Sequence, residues 1–113
     1  MTVTIYHNPK CSTSRNTLAR IRDAGIEPTV VEYLKTPLTR AELAKLAKTP
    51  GLDARALLRT KEALAKEMAL SSASDTAILD AIAEHPILLN RPIVVTPKGG
   101  RATRPIETVD EIL

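Results

Sequence analysis

Residues 2–34 read as strand, helix and strand, and that order closes off most folds. Thr2–Tyr6 places Val3 and Ile5 on one face of a short strand. Asn8-Pro9 marks a turn. Ser12 to Ala24 carries Leu18, Ile21 and Ala24 near one side of a helix, and Gly25 is placed to stop it. Thr29–Leu34 is a second β-rich run. Two strands joined through a helix pair in parallel, with a right-handed crossover. The chain therefore opens with a βαβ unit and needs a sheet with helices against it.

Helical patterns occupy the middle. Thr39 and Glu42 match a capping box ahead of Leu43, Leu46 and Ala47. Pro50-Gly51 breaks the chain, Ala54–Leu58 reads as a short helical turn, and Lys61–Met68 as a longer one. Ser74 is placed to cap a helix from Asp75 to Glu84, with Ile78, Leu79 and Ile82 facing inward and His85-Pro86 ending it. Ile93-Val94-Val95 then reads as an apolar strand, Pro97-Lys98-Gly99-Gly100 as a turn, and Arg101–Thr103 as a return strand. Glu107–Leu113 reads as a last amphipathic helix through Val109, Ile112 and Leu113. The order βαβ, helices, ββα predicts an α/β fold. It has one mixed sheet in a single domain over residues 1–113, with a helical insertion at about 38–86.

At 113 residues the chain is long enough for one core. That core must be aliphatic, because Phe and Trp are missing and the only tyrosines are Tyr6 and Tyr33. No stretch reads as a signal peptide or a membrane span, so a soluble, cytoplasmic protein with no membrane partner is expected. Sixteen basic residues are interspersed with thirteen acidic ones, for a net charge of +3. That balance attracts small anions weakly. Basic residues interleaved with aromatics are absent, which argues against nucleic acid.

Chemistry concentrates at Cys11, the only cysteine. It follows a Pro-bearing turn and stands where Ser12-Thr13-Ser14 opens a helix. A helix N-terminus carries partial positive charge and unpaired N–H groups, which favour thiolate over thiol and bind oxyanions. The other use of a lone cysteine is as a small buried hydrophobe; the polar, basic neighbours Lys10, Ser12, Thr13, Ser14 and Arg15 favour the reactive reading. Position 14 is Ser, so there is no C-x-x-C pair. Thr17 stands where a C-x5-R phosphate loop needs Arg. One cysteine with two distant histidines does not make a zinc site, and no metal is expected.

His7, four residues before Cys11, is either a promoter of the thiolate or a strand-end residue that packs. Ser14 is placed to hydrogen-bond the sulfur. Arg15 is either a solvated helix residue or a further positive charge. Among nine arginines, three have unusual settings. Arg59 follows Ala56-Leu57-Leu58, Arg91 sits in Asn90-Arg91-Pro92, and Arg104 in Thr103-Arg104-Pro105. A following proline holds Arg91 and Arg104 extended, and forked guanidinium donors suit tetrahedral oxyanions.

The Cys11 segment resembles the thiol loop of the glutaredoxin-linked ArsC-type arsenate reductases. So do Leu57-Leu58-Arg59, the block from His85 to Pro97, Arg104-Pro105 and the ending Asp110-Glu111-Ile112-Leu113. This resemblance implies a thioredoxin-like fold with a cis Arg91-Pro92 bond. It implies arsenate as substrate, with glutathione as co-substrate, glutaredoxin as partner and no bound cofactor, in a monomer. By resemblance Cys11 is the nucleophile, His7 promotes its thiolate, and Arg59, Arg91 and Arg104 bind arsenate or arsenite. Ser12 stands where the best-known members carry Gly, and adds a side chain beside the expected anion site. Two other activities fit related chains: a glutathione-dependent thiol oxidoreductase without arsenate as physiological substrate, and an Spx-type regulator that binds RNA polymerase. Spx-type chains often carry the C-x-x-C that Ser14 replaces here.

Overall fold

The computed structural model describes residues 2–113. Four strands form one mixed sheet: β1 (Thr4–His7), β2 (Thr29–Glu32), β3 (Ile93–Thr96) and β4 (Gly99–Ala102), in the order β2-β1-β3-β4. β1 and β2 are parallel, as the βαβ reading requires, and β1/β3 and β3/β4 are antiparallel. β1 is thus an inner strand, and the turn that follows it is carried on the middle of the sheet.

Helix α1 (Ser12–Asp23) and a C-terminal 3-10 helix (Ile106–Glu111) cover one face. Val3, Ile5, Leu18, Ile21, Val94, Val109 and Ile112 are buried there. Ala24 is exposed and serves as the C-cap, not as a third core residue. Gly25 follows at φ +82°, the left-handed value expected after a helix end. The other face carries α2 (Arg40–Ala47), α3 (Ala54–Leu57), α4 (Ala63–Glu67) and α5 (Asp75–Glu84). Their core includes Leu43, Leu57, Ile78, Ile82, Leu88 and Ile93. Thr39 and Glu42 form both bonds of the capping box, and Ser74 accepts from the Ala77 N–H, as read from the sequence. Asp53 caps α3 by accepting from the Ala56 N–H.

Several boundaries differ from expectation: β1 runs Thr4–His7 where the sequence pattern predicts Thr2–Tyr6, and α4 spans only Ala63–Glu67 of the expected Lys61–Met68. β2 ends at Glu32 because the Glu32 carbonyl accepts from the N–H groups of Lys35 and Thr36, which turns the chain at Tyr33. The hairpin turn is only Pro97-Lys98, and Gly99 and Gly100 lie within β4. These glycines mark a close approach: a Cβ on Gly99 would stand 2.7 Å from the Pro50 carbonyl oxygen, and one on Gly100 2.6 Å from Leu52. The last helix is 3-10 in form, with the Ile112 N–H donating to the Val109 carbonyl. Its three-residue repeat aligns Val109 and Ile112 on the buried side.

Buried threonines join the two ends of the chain. Thr17 donates to the Thr13 carbonyl and lies 3.4 Å from the Thr103 hydroxyl. The Thr103 hydroxyl and N–H both donate to the Pro92 carbonyl. The start of α1, the Pro92 turn and the end of β4 are thereby drawn to one point. Both Arg91-Pro92 and Arg104-Pro105 are cis, the second unforeseen in the sequence.

Gly99 (φ +135°) and Gly25 (φ +82°) separate conformational strain from collision. Gly25→Ala meets no atom within 4 Å and should cost about 1 kcal/mol from backbone strain alone. Gly99→Ala adds contact with the Pro50 backbone and should cost clearly more, on the order of 2–3 kcal/mol. Urea midpoints of the two variants compare them directly.

Candidate active site

The turn after β1 is held by its own polar groups. The Asn8 side chain accepts from the Lys10 N–H, and the Asn8 carbonyl accepts from the Cys11 N–H at 3.0 Å. Asn8 is thus the hinge of the loop. Cys11 is the N-cap of α1, with extended backbone (φ −95°, ψ 122°). An N-cap side chain ordinarily accepts from N–H groups in the first turn; the Cys11 sulfur makes no such capping bond. The backbone N–H groups of Ser14 and Thr13 nevertheless lower its pKa.

Arg104 reaches the same atom. Its Nη2 donates to the Cys11 Sγ at 3.4 Å, and its Nε donates to the Arg91 carbonyl at 2.7 Å. Arg91 also faces the sulfur. Burial pushes the Cys11 thiol up. The Ser14 N–H, the Arg91 guanidinium, the Arg104 charge and the Thr13 N–H together outweigh that, and the thiol titrates below its ordinary value.

Asn90 brings in Arg59. Its N–H donates to the Leu57 carbonyl at 2.7 Å and its side-chain amide to the Ala56 carbonyl. Its side-chain oxygen accepts from the Arg91 N–H. The Arg59 N–H donates to the Leu88 carbonyl in the same clamp, next to the Leu58–Leu89 bridge. The end of α3 is therefore fastened to the segment before β3. Arg59, Thr60, Lys61, Asn90 and Arg104 line a cleft of about 150 Å³ there, with Leu58 at its base.

The other arginines are occupied elsewhere. Arg20, Arg22, Arg40 and Arg101 pair with Asp110, Glu27, Asp80 and Glu111. Arg55 donates to the Ser71 and Ala73 carbonyls. By contrast, Arg59 Nε and Nη1 and Arg91 Nε are buried without a hydrogen-bond partner. The Glu62 carboxylate stands off at 3.9 Å from Arg59 Nε. Buried polar groups are nearly always bonded in folded proteins, so these three unpaired donors, two on Arg59 and one on Arg91, leave guanidinium charge that no carboxylate within hydrogen-bond distance neutralises.

Ser14 and His7 meet beneath the loop. The Ser14 hydroxyl lies 2.6 Å from His7 Nδ1 and accepts from the Asn8 N–H, so it is the Ser14 backbone, not its side chain, that serves the sulfur. His7 is buried and bonded to Ser14. Burial, chiefly, holds its pKa below the usual value; Glu32 raises it, and Arg22 and Arg15 lower it again. His7 thus braces the loop through Ser14. Arg15 donates to the Pro9 carbonyl at 2.9 Å, which ties the loop to α1. Ser12 is exposed in the first turn of α1. Asn8 and Asn90 were not singled out in the sequence as site residues; the Asn-Pro and Asn-Arg-Pro turns were the available signals.

The model of the family described as "ArsC family" matches residues 6–112. The chain belongs to the ArsC family. Its similarity to known members extends along the chain. An arsenate reductase of Rhizobium meliloti (strain 1021) is 59% identical over 115 residues, covering 100% of this chain and 82% of that protein. The arsenate reductase of Escherichia coli (strain K12) is 53% identical over 113 residues, covering 98% of this chain and 80% of that one. Among solved structures, an arsenate reductase from Vibrio cholerae superposes with a TM-score of 0.91 at 51% identity, covering 100% of this chain and 98% of the other. The α/β sheet with its helical covering is therefore the thioredoxin-like fold that the resemblance implied. Among the described residues, no helix is long and apolar enough to cross a membrane.

The charges at the sulfur make a titration prediction. Alkylation of Cys11 by iodoacetamide should follow a pH profile with its midpoint below that of an unperturbed cysteine. Removing a guanidinium in Arg91→Ala or Arg104→Ala should move the midpoint upward. The folded thiol titrates below the unfolded one, so its ionisation adds stability as pH rises through that range. That contribution disappears as pH falls through the folded pKa. An unchanged midpoint in both arginine variants would show that neither charge acts on the sulfur.

Proposed function

We propose that this chain reduces arsenate to arsenite, with Cys11 as nucleophile and glutathione and glutaredoxin supplying the electrons. The observation that carries this reading is the Cys11 sulfur at the α1 N-terminus, bonded to Arg104 and facing Arg91, whose Nε has no hydrogen-bond partner. Close relatives named as arsenate reductases support the choice of anion.

The chemistry follows from charge. Arsenate and a thiolate repel each other unless positive groups surround both. Arg59, Arg91, Arg104 and the α1 N–H groups supply that surrounding, and they stabilise charge as it grows on the arsenate oxygens. The Cys11 thiolate attacks arsenic, a sulfur–arsenic bond forms, and an oxygen leaves as hydroxide or water. Reduction of As(V) to As(III) takes two electrons. Two thiols supply them by joining in a disulfide, one being Cys11 and the other glutathione. Arsenite leaves, and glutaredoxin then returns Cys11 to the thiol. With only one cysteine, the second sulfur must come from outside. His7, Ser14 and Arg15 hold the loop in the geometry this attack needs. We assign the protein to the cytoplasm, where reduced glutathione is available, acting as a monomer with no resident cofactor.

Purified protein with arsenate, glutathione and glutaredoxin should release arsenite, and leaving out glutaredoxin should slow turnover strongly. Efficient thiol transfer with no arsenite release would instead favour a thiol oxidoreductase. Cys11→Ser should abolish arsenite release, and continued release would reject the nucleophile. Arg91→Ala should lower kcat/KM by about 2–4 kcal/mol, or roughly 30- to 1000-fold.

A further inference from the structure

The cleft beside Arg104 holds a cation that the attack on arsenic does not use. Arg104 lines this cleft while its Nη2 donates to the Cys11 Sγ at 3.4 Å. Arg59, Thr60, Lys61 and Asn90 line it too, with Leu58. Arg59 brings Nε and Nη1, both buried without a hydrogen-bond partner, and the Glu62 carboxylate stays 3.9 Å from that Nε. Thr60 and Lys61 are exposed. Among the described residues, no carboxylate lines the cleft and none pairs with Lys61. The cleft is therefore cationic, open to solvent, and one guanidinium away from the sulfur.

The reaction brings a second anion to that sulfur. With one cysteine in the chain, the second thiol arrives on a separate molecule. Glutathione carries two carboxylates, and the glycyl one is the nearer to its thiol. A pocket for a whole small-molecule ligand encloses roughly 300–1,000 Å³. At about 150 Å³ this cleft suits one end of such a molecule and leaves the rest in solvent. We infer that the cleft is a carboxylate subsite for the second thiol, in which Lys61 and the Thr60 hydroxyl take the glycyl carboxylate of glutathione and Arg104 forms the wall toward Cys11. This inference rests on the glutathione-dependent reading of the site. A carboxylate anchored there turns a free encounter between two sulfurs into a positioned one. It also selects among thiols, because one without a carboxylate gains nothing from Lys61.

Lys61→Gln removes the charge from an exposed position. Its KM for glutathione in arsenite release should rise about 2- to 5-fold, the worth of an ion pair open to solvent, while its KM for arsenate stays in place. Lys61→Glu should raise the glutathione KM further, and Lys61→Arg should restore most of it. With 2-mercaptoethanol, a thiol without a carboxylate, Lys61→Gln and the unsubstituted protein should react alike. Lys66→Gln removes an equal charge from α4, outside the cleft, and should leave the glutathione KM unchanged. A glutathione KM unmoved in both Lys61→Gln and Lys61→Glu overturns the inference. An equal rise in Lys66→Gln also overturns it, as general attraction, and so does a rise in arsenate KM alone, which would make Lys61 an oxyanion ligand. A second measurement needs no arsenic. Oxidised glutathione should place one glutathionyl group on Cys11: the thiolate attacks one sulfur, the S–S bond breaks, and the other glutathione leaves as thiolate. Mass spectrometry should show this step slowed in Lys61→Gln, and no slowing with hydroxyethyl disulfide in its place. If the unsubstituted protein releases no arsenite yet shows the Lys61-dependent step, the arsenate reading falls and the thiol subsite stands. If arsenite is released and the step runs equally fast in both proteins, the subsite falls and the arsenate reading stands.

Discussion

Burial and positive charge oppose each other at the Cys11 sulfur, and the outcome depends on how much charge the fold gathers there. Desolvation favours the neutral thiol. Against it stand two backbone N–H groups from the first turn of α1 and the Arg91 and Arg104 guanidiniums. Both N–H groups are available because a helix cannot satisfy its own first donors. The arginines are available because neither is given a carboxylate, whereas Arg20, Arg22, Arg40 and Arg101 each have one. An unneutralised cationic cluster is costly in an empty site. It becomes favourable when an anion enters, which is the condition for differential binding.

Holding that cluster together is the task of two small networks. One runs from Thr13 through Thr17 and Thr103 to the Pro92 carbonyl, and it sets Arg104 above the α1 N-terminus. Asn90 makes the other, clamping α3 to the segment before β3 so that Arg59 shares a cleft with Arg104. The first uses buried threonines and the second a part-buried asparagine, and bonded polar groups of this kind specify geometry more sharply than apolar packing does. The helical face contributes through this clamp: α3 packs against α5, and its C-terminal end delivers Arg59.

Much of the architecture was legible in local pattern. The βαβ start, the capping box at Thr39, the Ser74 cap and the strand Ile93-Val94-Val95 all stand where periodicity and cap chemistry put them. Misread segments are those where a distant element decides. Gly99 and Gly100 resemble turn residues in isolation, but they pair with Thr96 and Val95 in a strand, and Pro50 and Leu52 leave no room there for a side chain. Tyr33 resembles a strand residue, but the Glu32 carbonyl turns the chain there. Ser14 sits three residues from Cys11, which suggested a side-chain bond to sulfur; helix geometry sends its hydroxyl to His7 instead.

The amino-acid sequence alone determined that one thiol stands at a helix N-terminus, because a turn, a cysteine and a run of small hydroxyl residues are adjacent in the chain. It also marked out Arg91 and Arg104, because a proline follows each. Only the tertiary structure decided which arginines are given a carboxylate, that His7 braces the loop through Ser14, and that the Tyr33 hydroxyl is buried. Those properties depend on what lies across space, and burial turns the absence of a partner into free energy that no local pattern encodes.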